Sequence, residues 1–283
     1  MAFEKVKNIP DLIKLENSIF VLPFTYIGML LASSYTIVTF ILITIALLSA
    51  RGAAFAVNRY VGRRYDLRNP KKKRWISLRL YTKFELATIF IFFAIVFLAS
   101  AYALNILAFI LAPIILLIVI IEPHFKKYTE HRHLIMGFII GLGVLGGYIG
   151  AQGAFPTTWP VYVLMFGYMF YSAANDIIYS LNHVTADRLS GLKTYPVEYG
   201  VKNSMLYSFN YHSMAAVLFV IFGILNNSAI IIIAAFIVYI IFVLEYRILD
   251  YTRKWTLHVS FFNYNAVVSI IMLLAVILFK LGV

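Results

Sequence analysis

Long apolar runs, each close to the length of a bilayer-spanning helix, make up most of this chain, and short polar stretches separate them. About 20 apolar residues cross a hydrocarbon core as a helix. That ruler predicts nine spans, beginning near Ser18, Thr36, Phe84, Leu107, Leu134, Trp159, Met205, Ser228 and Phe261. Only the stretch SAYALNI parts the third span from the fourth, so a tight turn is expected there. The opening segment, MAFEKVKNIPDLIKLEN, lacks the apolar core and small-residue cleavage site of a signal peptide and reads as an amphipathic surface helix. No interior stretch is long enough for a soluble second domain, and no low-complexity linker interrupts the pattern. The expectation is an all-α integral membrane bundle of nine transmembrane helices, one domain over residues 1–283.

Composition agrees with the pattern. Of 283 residues, 62% are hydrophobic and 13% charged, where a soluble domain is roughly half apolar and a quarter charged. The absence of cysteine excludes disulfides, thiolate catalysis and thiolate metal sites. The net charge of +12 suits contact with anionic lipid, as basic residues of a membrane protein commonly do, and no nucleic-acid partner is expected. With the N-terminus in the cytoplasm, the cytoplasmic segments 1–17, 58–83, 122–133, 183–204 and 245–259 carry 22 of the 24 Lys and Arg. The opposite loops, such as ASSY and GAQGAFPTT, carry none. That asymmetry is the positive-inside pattern, and it predicts a multi-pass protein of the cell membrane.

The same topology sets two polar clusters at one membrane level, four spans apart, as an internal duplication would. In AVNRYVGRRYDLRNPKKKRW, Asn58, Gly62 and Asp66 stand at i, i+4 and i+8, one face of a helix. In AANDIIYSLNHVTADRLSG, Asp176, Tyr179, His183 and Asp187 follow at offsets of three, seven and eleven, again one helical face. A carboxylate at the end of an apolar helix is costly and is functional by default. Oxygen donors from two helices suit Mg²⁺, an ion that leans on substrate phosphates. Arg59, Arg63, Arg64, Arg68, the run Lys71 to Arg74, Lys126 and Lys127 add a basic rim. The combination describes a seat for a diphosphate ester. The plainer alternative is an ion pair and a loop anchor at the membrane surface, and the recurrence of the cluster argues against it.

These residues resemble the UbiA superfamily of intramembrane aromatic prenyltransferases, and the likeness runs over nearly the whole chain. The family's first motif reads N-x-x-x-D-x-x-x-D followed by N-P; here it is NRYVGRRYDLRNPKK. The second reads D-x-x-Y-x-x-x-D-x-x-x-D and then S-I-P-x-x-x-G; here it is DIIYSLNHVTADRLSGLKTYPVEYG. KLENSIFVLPFTYIGMLLAS is similar to the family's first helix, and EPHFKKYT to its Y-P-x-x-K-R-x-T. The contexts AVNR and DIIY look closest to the 4-hydroxybenzoate and futalosine-route menaquinone branch. The resemblance implies transfer of a polyprenyl group from a polyprenyl diphosphate to an aromatic quinone precursor or other lipid acceptor. It further implies Mg²⁺ on Asn58, Asp66, Asp176 and Asp187, diphosphate on Lys126 and the neighbouring Lys127, and Tyr179 lining the pocket.

Two positions depart from the family pattern. The middle acid of the first motif is Gly62, and an acid of the second is His183. Imidazole is a poor Mg²⁺ ligand, so two missing carboxylates weaken the metal site. Arg63 and Arg64, beside the gap, are placed to hold diphosphate directly. His183 has three readings: a ligand for a softer metal, a donor to diphosphate, or a filler of space. The departures keep a second reading in play, a non-catalytic relative that binds a prenyl lipid or a partner enzyme. A transporter, suggested by midmembrane glycines, fits less well, because the acids gather at one surface.

The remaining features have structural readings. The glycines of GFIIGLGVLGGYIGAQG predict close helix packing. YVLMFGYMFYSAAN reads as bundle core, with Tyr168 and Tyr171 as secondary candidates for a cavity wall. His124, His131 and His133 are expected to be solvated loop residues, His212 to pair within the bundle, and Glu16 and Asn17 to cap the first span.

Overall fold

The computed structural model describes residues 8–12, 18, 20–68 and 81–282, and among them every regular element is helical. In chain order these are α1 (Ile9–Leu12), α2 (Leu22–Leu31), α3 (Ile37–Arg68), α4 (Lys83–Leu104), α5 (Ile106–Ile121), α6 (Arg132–Gln152) and α7 (Trp159–Ser180). They continue with α8 (Val184–Leu189), α9 (Tyr195–Glu198), α10 (Gly200–Leu225), α11 (Ala229–Ile248), α12 (Lys254–Val259) and α13 (Asn265–Lys280). Eight helices among the described residues are long and apolar enough to cross a membrane. The expected first span is the ten-residue α2. It rises about 15 Å, half of a hydrocarbon core about 30 Å thick. The last span is composite: α12, a π-helical turn over Ser260–Tyr264, and α13.

The helices fall into two compact units, Met1–Ile19 with Thr36–Phe125, and Phe20–Tyr35 with Lys126–Val283. In the first, α3, α4 and α5 pack on one another. Ala53, Ala94 and Leu116 form the buried centre, flanked by Phe90, Phe93 and Phe97. Gly52 keeps α3 close to α4, since a Cβ there would stand 2.8 Å from the Phe93 ring. The turn expected in SAYALNI is one residue long. Asn105 is extended, donates its N–H to Ala101, and accepts the Ala108 N–H on its side chain at 2.8 Å, ending α4 and starting α5 at once. Thr82 and Glu85 form a reciprocal capping box at the head of α4.

In the second unit, contacts close a ring, α2 to α6, α7, α10, α11, α13 and back to α2. The aromatic helix α7 carries the core: 61% of its apolar window is buried, against 22–39% in the other spans. Tyr168 stacks on Phe24 at 3.9 Å and donates to the Phe20 carbonyl, and Tyr171 donates to Asn265 Oδ1 at 2.7 Å. Both rings are therefore core. The glycines of α6 make close approaches, as expected, at Gly137, Gly141 and Gly147, where added Cβ atoms would lie 2.0–2.8 Å from backbone oxygens of α2 and α7. Outward positions such as Ile233, Phe236 and Ile240 remain apolar and exposed, which fits lipid as the surrounding solvent.

One expected regularity fails. The second cluster does not occupy one continuous helix, because α7 ends at Ser180 and a 3₁₀ turn over Leu181–His183 intervenes before α8. The tighter turn means that one α-helical register does not run unbroken from Asp176 to Asp187.

Candidate functional site

The first motif lies on α3, whose backbone stays helical to Arg68, so Asn58, Gly62 and Asp66 share one face as the spacing requires. Asn58 is half-buried and Arg59 buried. Arg63 donates through Nη1 to the Tyr81 carbonyl, fastening the end of α3 to the entry of α4. The expected diphosphate ligand therefore also has a structural bond. The side chains of Arg64 and Asp66 and the basic run Lys71 to Arg74 lie outside the described residues, as do Glu16 and Asn17.

The second motif is built on the end of α7 and on α8. Tyr179 meets His183 edge to face, with ring centroids 5.3 Å apart. Asp187 sits in the first turn of α8, where the helix dipole favours an acid. Its carbonyl accepts from the N–H groups of Ser190 and Leu192, closing the turn after the motif. Lys193 then donates its N–H to the Lys126 carbonyl at 2.8 Å. The expected diphosphate-binding stretch is thereby tied directly to the exit of the second motif. Lys126 is half-buried and Lys127 exposed.

Asp176 has partners that the sequence reading missed. Its Oδ2 accepts from Nδ1 of His133 at 2.6 Å and from Nη2 of Arg132 at 3.2 Å. His133 is 0% exposed and Arg132 7%, which overturns the expectation that His133 is a solvated loop residue. Arg132 opens α6, where the dipole disfavours a cation, and Asp176 supplies the compensating charge. That mismatch was visible as HRH at the head of an apolar run. His124 and His131 are exposed, as expected. His131 shares a hydrogen bond with the Tyr195 hydroxyl at 3.1 Å, and Tyr195 another with Tyr211 at 2.8 Å. Burial, followed by the Tyr211 bond, raises the Tyr195 hydroxyl above its usual range. Glu130 accepts from its own backbone and from the Tyr199 hydroxyl at 3.0 Å, and these bonds hold its carboxyl below the ordinary value.

His212 pairs within the bundle. It stacks on Phe242 at 4.2 Å and lies 3.7 Å from Glu245, which Ser260 also bonds. Among the described residues no three His, Asp or Glu side chains gather as a metal-binding group.

Comparison with known proteins decides what this helical frame belongs to. The UbiA prenyltransferase family matches residues 21–277, through both units. The chain belongs to the UbiA prenyltransferase family. No curated protein sequence matches it. Among solved structures, an apo UbiA homologue from Aeropyrum pernix K1 is similar at a TM-score of 0.80 and 27% identity, covering 93% of this chain and 98% of that one. A digeranylgeranylglyceryl phosphate synthase shares the fold at a TM-score of 0.69 and 21% identity, with 99% and 100% coverage. A UbiA homologue from Archaeoglobus fulgidus bound to GPP and Mg²⁺ shares it at 0.74 and 15%, with 98% and 100% coverage.

Proposed function

We propose that this UbiA protein transfers a polyprenyl group from a polyprenyl diphosphate to an aromatic quinone precursor or another lipid acceptor within the membrane. Family membership from residue 21 to 277 carries the reading. The GPP- and Mg²⁺-bound relative and the digeranylgeranylglyceryl phosphate synthase support the substrate class.

The described donors fit Mg²⁺ poorly. Gly62 has no side chain to offer, His183 offers nitrogen, and the Oδ2 of Asp176 already serves two donors. The family motifs assign Asn58, Asp66 and Asp187 to a divalent ion alongside Asp176, and that assignment is part of the proposal. In the proposed reaction Arg63, Arg64, Lys126 and Lys127 take the charge of the leaving diphosphate, which favours C–O cleavage by stabilising the product anion. The Tyr179 ring offers a π-face to the allylic cation. Helices that exclude water keep that cation from hydrolysis. The acceptor then forms a bond to the allylic carbon and releases a proton.

Membranes holding the protein, supplied with labelled geranylgeranyl diphosphate and a panel of aromatic acids and phosphorylated glycerol lipids, should yield a labelled lipid product with at least one acceptor. Lys126→Ala should lower the rate by about tenfold to a hundredfold, the effect of losing one group that stabilises developing charge. The losses at Gly62 and His183 favour one alternative, a UbiA-fold protein that binds a prenyl lipid or a partner enzyme without turnover. Binding of prenyl diphosphate with no product from any acceptor would select it.

A further inference from the structure

The acids absent from the two motifs have a counterpart outside them. In EPHFKKYT, Glu122 stands where the family's Y-P-x-x-K-R-x-T has tyrosine. It follows the last residue of α5 and begins a 3₁₀ turn over Glu122–Lys127. Glu122 is 9% exposed, and its Oε1 is buried with no hydrogen-bond partner. Among the described residues no Lys or Arg forms an ion pair with it. A carboxylate shut away from water is costly unless a proton or a cation joins it.

The packing of the first unit sets the depth of this carboxyl. As alternate passes of that unit, α3 and α5 run the same way, and Ala53 and Leu116 share one buried cluster. Six residues past each, about 9 Å along the helix axes, come Arg59 and Glu122. Glu122 is therefore level with Asn58 and Arg59, and about one turn short of Gly62, where the first motif lacks its acid. A hard divalent ion takes oxygen ligands and leans on phosphates, so a carboxylate at this level offers the donor that Gly62 cannot.

We propose that Glu122 is an oxygen ligand of the divalent ion assigned to Asn58 and Asp66, supplying the carboxylate that the first motif has lost at Gly62. The ion and the substrate class rest on the function proposed above.

The test is Mn²⁺ binding, read by EPR, to the purified full chain carrying an uncleavable thiolo analogue of geranyl diphosphate. Glu122→Gln keeps the shape of the side chain and removes its charge, and it should bind Mn²⁺ about tenfold more weakly than wild type. Adding Gly62→Asp to Glu122→Gln should recover most of that loss, which a merely structural role for Glu122 would not allow. An Mn²⁺ affinity of Glu122→Gln within about twofold of wild type overturns the inference alone. A loss that Gly62→Asp leaves unchanged does the same, as does wild-type protein that binds the analogue but no Mn²⁺. Where Glu122→Gln does not fold, wild-type protein is treated with a hydrophobic carbodiimide, and mass spectrometry should find Glu122 labelled more slowly once Mn²⁺ is bound. Labelling that Mn²⁺ leaves unchanged overturns the inference. Failure of the analogue to bind wild type, with or without Mn²⁺, removes the prenyl diphosphate reading and this inference with it.

Discussion

At Gly147 an added Cβ would stand 2.0 Å from the Thr25 carbonyl oxygen, whereas at Gly146 it would meet nothing within 4 Å. Gly147→Ala should therefore destabilise the protein by about 1–3 kcal/mol through overpacking. Gly146→Ala should be neutral or stabilising by up to about 1 kcal/mol through helix propensity. Thermal unfolding in detergent separates the two, and equal shifts would contradict the packing described. The glycine run announced close helix contact, but periodicity assigns a face and not a neighbour, so the sequence could not rank adjacent glycines. His133 shows the same limit. It stands one residue inside the start of α6, and its hydrogen-bond partner is Asp176, 43 positions away. Tyr199→Phe tests a smaller interaction, because it removes a bond that holds the Glu130 carboxyl low. A depressed carboxyl stabilises the fold above its ordinary pKa, and that contribution fades as pH falls through the lowered value. The variant's Glu130 carboxyl should titrate at higher pH than the wild type's, measured by NMR of labelled glutamate.

Among the elements, Asn105 is the sharpest example of local chemistry fixing architecture. One extended residue ends α4 and caps α5, so Asn105→Ala should cost about 0.5–2 kcal/mol while Asn105→Ser retains most of the cap. Equal stability of the Ala and Ser variants in detergent unfolding would contradict that role. The starts of α3 to α7 and α11 fall close to those expected from the apolar runs, because span length and polar breaks are written locally. Two features were not. The first apolar run yields only the ten-residue α2 among the described residues, and α7 breaks into a 3₁₀ turn before Asp187. Pro23 stands in the first turn of α2, where proline favours a helix start, but the break after α7 follows from neither proline nor glycine, since Leu181, Asn182 and His183 are ordinary helix occupants. The face shared by Asn58, Gly62 and Asp66 was legible because α3 is an unbroken helix across them.

For the whole molecule, composition was enough to predict a membrane protein, and the family match extends the reading to a prenyltransferase fold. Orientation is testable directly, because the chain has no cysteine of its own. With the basic segments inside, Ser34→Cys should react with an impermeant maleimide in intact cells, and Tyr128→Cys only after lysis. The reverse pattern would place the N-terminus outside. The central claim is prenyl transfer, and its most direct measurement is mass spectrometry of lipids from membranes given a polyprenyl diphosphate and an acceptor panel. Wild-type membranes should accumulate a prenylated acceptor, and Asp66→Asn or Asp187→Asn membranes should lose most of it. No prenylated product from any acceptor, with the protein shown to be folded and to bind the diphosphate, would contradict the account.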